Sequence, residues 1–247
     1  MASISEKGHA KNVANYEKLI ADVTALGTAY NPSKANLKLT ALNTQLTAAK
    51  AAITAVNSAE PAYKNAVSAR EASFAPLSKL ITRVNNALKA SDTTEQVDES
   101  ALTLVRKLQG RRATPKKTEE EKKVALESGK EIIEISSSQM SYDSRLDNLD
   151  KLIKLLTSVT AYSPNEADLK ATALTTLYND LKAKNTAVIT AEIPLTNSRI
   201  LRNEILYKPL TGLIDTSIDI KTYIKSIYGA TSPQFRAISK LQFTSRS

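Results

Sequence analysis

The residue types that most often do chemistry are scarce in this sequence, and their spacing limits what they could do. The 247 residues include one histidine and no cysteine. Zinc fingers, thiolate nucleophiles, disulfide frameworks and haem attachment all require thiols, so these classes are excluded. A Ser-His-Asp triad or a histidine metal site would rest on His9 alone, within the polar stretch MASISEKGHAKN. An ordinary surface histidine is the expected reading. The six glycines, at Gly8, Gly27, Gly110, Gly129, Gly212 and Gly229, are scattered and form no phosphate-cradling loop of the Walker or dinucleotide type. Glu60 and Glu192 occupy equivalent places on an apolar seam that also holds Arg70. Neither acid has a second carboxylate at a spacing that suits shared acid-base work. Buried charge is costly without a partner, so a structural ion pair or exposure is expected there. No catalytic, cofactor-binding or metal-ligating residue is assigned, and no enzymatic activity or small-molecule substrate is expected.

The remaining chemical signal is electrostatic. The chain carries 34 Lys and Arg against 25 Asp and Glu, a net charge of +9 spread evenly along its length. Only Arg111, Arg112, Lys116 and Lys117 cluster, on what reads as an exposed loop. These four are the polyanion-binding candidates. A few phosphate contacts would give salt-sensitive, non-specific affinity, and no aromatic side chain lies among them to stack on a base.

Positioning of these groups depends on an internal duplication. Asn15 through Ile20 (NYEKLI) matches Asn148 through Ile153 (NLDKLI), and Ala29-Tyr30-Asn31-Pro32 matches Ala161-Tyr162-Ser163-Pro164. Further along, Ala59-Glu60-Pro61 meets Ala191-Glu192-Ile193-Pro194, Pro76-Leu77 meets Pro209-Leu210, and Lys107-Leu108-Gln109 meets Lys240-Leu241-Gln242. Chance does not place so many matches in one order with three prolines in register.

Each repeat reads as helical, because apolar residues recur three and four apart with almost no strand-type alternation. A short helix near residues 9–29 carries Val13, Tyr16, Ile20 and Val23 as one stripe, mirrored by Leu146, Leu149, Ile153 and Leu156. Asn31 or Ser163 as N-cap, with Pro32 or Pro164 at the first helical position, then announces a second helix, and Glu166 completes a capping box with Ser163. From Leu39 the spacing is heptad-like through Leu42, Leu46, Ile53, Val56, Glu60, Val67, Phe74, Leu77, Ile81 and Leu88. Two readings of Pro61 are open: a kinked continuous helix, or one helix ending at Ser58 and another starting with Pro61 in its first turn. As one piece, residues 33–89 would span roughly 85 Å. A final short helix is expected near 99–109 and near 233–242, the latter after Ser232-Pro233.

The expected organisation is helical repeat 1 at 7–109, a charged connector with a short helix at 110–139, and helical repeat 2 at 140–243. In the connector, Gly110 and Pro115 break the helix, Thr118 and Glu121 form a capping box, and Glu119 to Glu121 suit the positive end of a helix dipole. The fold class is all-α: an elongated helical bundle of two tandem repeats with long, proline-containing helices. No stretch approaches the roughly 18 apolar residues of a membrane span, and the N-terminus lacks an apolar signal core, so a cytoplasmic setting without membrane insertion is expected. Apolar helical seams without reactive groups point to a structural or scaffolding module with a protein partner or self-association. The alternative is weak, non-specific association with nucleic acid or another polyanion.

The segments LQGRRATPKKTEEEK and EISSSQMSYDSRLDNLDKLIKLL, with the opening MASISEKGHAKNVANYEKLI, resemble a family of uncharacterised bacterial helical proteins of about this length. The resemblance implies a bacterial, cytoplasmic setting and carries no activity, ligand or catalytic residue.

Overall fold

The computed structural model describes residues 8–111, 118–128 and 140–245. Among these residues the protein is all-helical, without strands. The helices, in order, are α1 (His9–Thr24), α2 (Leu39–Phe74), α3 (Leu77–Lys89), α4 (Glu95–Gln109), α5 (Glu119–Glu127), α6 (Tyr142–Ser158), α7 (Ala171–Tyr207), α8 (Leu213–Tyr228) and α9 (Pro233–Ser239).

The long helices begin later than the proline signals suggest. Pro32 and Pro164 lie before single 3₁₀ turns at Ala35–Leu37 and Ala167–Leu169, and α2 and α7 start only after these. Glu166 is extended, so it completes no capping box with Ser163. The reason is a buried tyrosine in each loop. Tyr30 donates its hydroxyl to the Leu37 carbonyl (2.8 Å), and Tyr162 donates to the Leu169 carbonyl (2.7 Å). A helix starting at the proline would commit those carbonyls to its own ladder.

Pro61 and Pro194 lie inside uninterrupted helices of 36 and 37 residues, which resolves the reading at these two prolines in favour of continuity. Each proline removes one intrahelical bond, from the carbonyls of Asn57 and Thr190. The stretch 33–89 is nevertheless not one helix: α2 ends at Phe74, and α3 starts after Ala75-Pro76. From Asn57 to Ser73 no residue of α2 is fully buried, so the seam positions Glu60, Tyr63, Val67 and Arg70 are half-covered rather than core. Farther on, α4 begins at Glu95, before the expected start, and Asp98 in its first turn accepts a bond from Thr93 Oγ1 (2.8 Å). At α9 the expected start holds: Ser232 Oγ accepts from the Phe235 amide (3.2 Å) with Pro233 in the first turn.

The chain packs as two compact units, one comprising residues 1–64 with 190–247, the other 65–189. In the first, Tyr16, Leu19 and Val23 of α1 and Leu42 and Ala49 of α2 share a core with Leu206, Leu213, Ile220, Ile224 and Ile238. The second unit gathers Phe74, Ile81 and Leu88 with Val105 and Leu108 of α4, Leu149, Leu152 and Leu156 of α6, and Leu174 and Leu181 of α7. These units divide the chain differently from the repeats 7–109 and 140–243, since each core draws on both.

Candidate functional site

The basic cluster starts where α4 stops. Gly110 ends the helix with a left-handed backbone (φ 67°), and the Arg111 amide closes the end on the Arg106 carbonyl at 2.8 Å. A Cβ at position 110 would lie 2.8 Å from Sδ of the exposed, flexible Met140 side chain, so the left-handed backbone rather than space is what requires glycine. Arg111 is exposed, with Arg106 and Lys107 in the last turn of α4, where cations suit the negative end of the helix dipole. Arg112, Lys116 and Lys117 lie outside the described residues. So does the side chain of Glu121, the acidic half of the connector's capping box.

Of the charges on the seam, Glu60 and Arg70 make contacts within the fold. Glu60 is half-buried and pairs with Lys64 one turn later at 2.9 Å; the hydrogen bond from Lys64 holds its carboxyl below the usual carboxylate range. Glu192 is exposed. Arg70 places its guanidinium 3.9 Å from the centre of the Tyr142 ring and donates to Asn185 Oδ1 (3.0 Å), while Asn185 donates to Asp143 Oδ1 (2.8 Å). Beside it, Arg145 donates to the Phe74 carbonyl at the end of α2 (3.1 Å) and lies over the Phe74 ring. Burial pushes the Arg145 pKa down, although arginine stays charged at any ordinary pH. This cluster seals a helix end and leaves no acid and base facing a common space.

His9 is not an ordinary surface residue. Its Nδ1 lies 2.7 Å from the Tyr207 hydroxyl, and the two rings stack at a tilt with centres 5.6 Å apart. Phe74 and Tyr142 form an edge-to-face pair at 4.9 Å in the second unit. The duplication carries the signal that could have found both, because His9 aligns with Tyr142 and Phe74 with Tyr207. Sequence reasoning also missed the buried Asn12. Its amide donates to the Thr244 carbonyl (2.9 Å) and accepts from the Thr244 amide (3.0 Å), and Asn15 donates to the Gln242 carbonyl (2.7 Å). The segment after α9 is thereby strapped along α1. Lys221 adds a bond to the Leu241 carbonyl and lies over the Phe243 ring, and its burial lowers its pKa.

No protein-family model, curated protein or solved structure matches this chain.

An open groove of about 470 Å³ along α6 and α7 is lined by Asp150, Lys154, Thr157, Thr175 and Tyr178. Its charged groups, Asp150 and Lys154, bond each other at 2.6 Å. A second cavity of about 300 Å³ brings His9, Lys11, Asn57 and the buried Arg202 together, and Arg202 donates to Asn203 Oδ1 at 2.8 Å. Among the described residues no group of His, Asp and Glu is arranged to hold a metal ion, and no helix is long and apolar enough to cross a membrane. The outward face of α7 has a different character. Ile193 and Ile200 are 57% and 60% exposed. Their spacing of seven residues puts them on one side of the helix.

Proposed function

We propose that this protein is a non-catalytic helical interaction module that self-associates through the outward face of α7. The observation that carries the reading is the pair Ile193 and Ile200, two turns apart and each more than half exposed. Single exposed isoleucines are ordinary, but an aligned pair is a surface suited to covering by another apolar face. Burying a large aliphatic side chain contributes about 1.5–3 kcal/mol, so two per copy can support a reversible contact.

The reading includes an origin by tandem duplication and a cytoplasmic setting. The recurring element order and the matched bonds of Tyr30 and Tyr162 support the duplication. A second reading, weak polyanion binding, is favoured by the exposure of Arg111 beside Arg106 and Lys107 at one helix end.

Light scattering on a sizing column, at low and physiological salt and with a short DNA duplex, separates the two. The module reading expects oligomers that resist salt and revert to monomer in the Ile193→Glu/Ile200→Glu variant. A monomeric parent protein, or oligomers indifferent to that variant, would exclude the α7 face. Retention on DNA only at low salt, abolished when Arg111, Arg112, Lys116 and Lys117 become Ala, would instead support the polyanion reading.

A further inference from the structure

We propose that the two halves of the sequence, residues 8–111 and 140–245, are obligate binding partners, each the surface on which the other folds. This goes beyond self-association and does not depend on the α7 face. In the first unit, Tyr16, Leu19 and Leu42 from the first half close on Leu206, Ile220 and Ile224 from the second. In the other unit the roles reverse: Phe74, Ile81 and Leu88 from the first half close on Leu149, Leu152 and Leu181 from the second. Every one of these twelve side chains is almost wholly buried. Neither half contains a finished core of its own.

Polar contacts follow the same crossed pattern. In the first unit, Asn12 holds Thr244, Lys34 pairs with Asp219 at 2.5 Å, and Gln45 donates to the Thr211 carbonyl at 2.8 Å. In the second, Arg83 pairs with Asp168, Arg70 bonds Asn185, and Arg145 caps the Phe74 carbonyl. The ring pairs repeat it, His9 of one half on Tyr207 of the other and Tyr142 of the second half on Phe74 of the first. A half-chain standing alone would leave both partial cores open to water. Such surface, apolar in the middle with hydrogen bonds at its edge, is what a tight protein partner covers. The partner of matching chemistry is the other half.

The experiment uses the full chain with a specific protease sequence inserted between Thr114 and Pro115, cleaved after folding. At low micromolar concentration the two fragments are expected to elute together in a one-to-one ratio, whatever the oligomeric state. Their melting midpoint is expected to rise with concentration, as it must when unfolding separates two chains. Leu152→Ala in the cleaved protein is expected to weaken association by about thirtyfold or more, the usual cost of truncating a core leucine. Separate elution of the fragments, a midpoint independent of concentration, or unchanged association in Leu152→Ala would overturn the proposal.

Discussion

Leu210 is the one described residue other than glycine with a left-handed backbone (φ 67°), and its side chain is 77% exposed. Its amide is held by Asp215 Oδ2 at 2.7 Å, so the turn into α8 keeps a conformation that L side chains resist. Leu210→Gly is therefore expected to raise stability by about 0.5–1 kcal/mol, measured by urea unfolding, with no change in oligomeric state. The opposite holds at Gly110, where Ala would meet both the strained backbone and Met140 Sδ. A loss of at least about 1 kcal/mol is expected for Gly110→Ala, and adding Met140→Ala should restore only part of it. Glycine at a helix end is legible in sequence, because Gly110 follows the last apolar residue of a periodic run. A leucine in the same conformation is not, since its type carries no such signal and the turn is held by the bond from its amide to Asp215 in the first turn of α8.

At the scale of elements, the buried tyrosines before α2 and α7 make the clearest pH prediction. Burial, more than the neighbouring Tyr223 and Glu166, pushes the phenols of Tyr30 and Tyr162 from the ordinary 10 up to about 12. The folded value lies above the unfolded one, so their stabilising contribution is intact below pH 10 and is lost as pH rises toward 12. Helical circular dichroism should fall in that window together with the appearance of phenolate absorbance. The Tyr30→Phe/Tyr162→Phe variant should lose about 1 kcal/mol per hydrogen bond at neutral pH yet decline less steeply above pH 10. The register of the long helices was readable, because the phase of apolar residues continues through Pro61. Their starting points were not. A proline and a capping residue advertise a helix start locally, whereas the Tyr30 and Tyr162 hydroxyls claim the decisive carbonyls across the loop.

For the whole molecule, the two cores predict which distant segments respond together. Leu152 of α6 is buried in the core that holds Ile81, Leu88 and Leu108. Leu152→Ala should cost about 2–5 kcal/mol, and amide exchange should accelerate in α3 and α4, far away in sequence, as well as in α6. Protection of α3 and α4 that does not change would show that these helices are not held by α6.

The amino-acid sequence by itself determined the all-helical class, because a period of three and four needs only the order of apolar residues along each helix. It also determined the caps at Ser232 and Gly110, which act within a few residues of themselves. Which helices share a core was decided only by the tertiary structure. The equivalent stripes of α1 and α6 are similar enough that local pattern does not say which long helix each will cover. That choice rests on contacts between residues about two hundred positions apart, such as His9 with Tyr207 and Asn12 with Thr244. No periodicity in the chain encodes such pairs, because they depend on the joint fit of several buried faces.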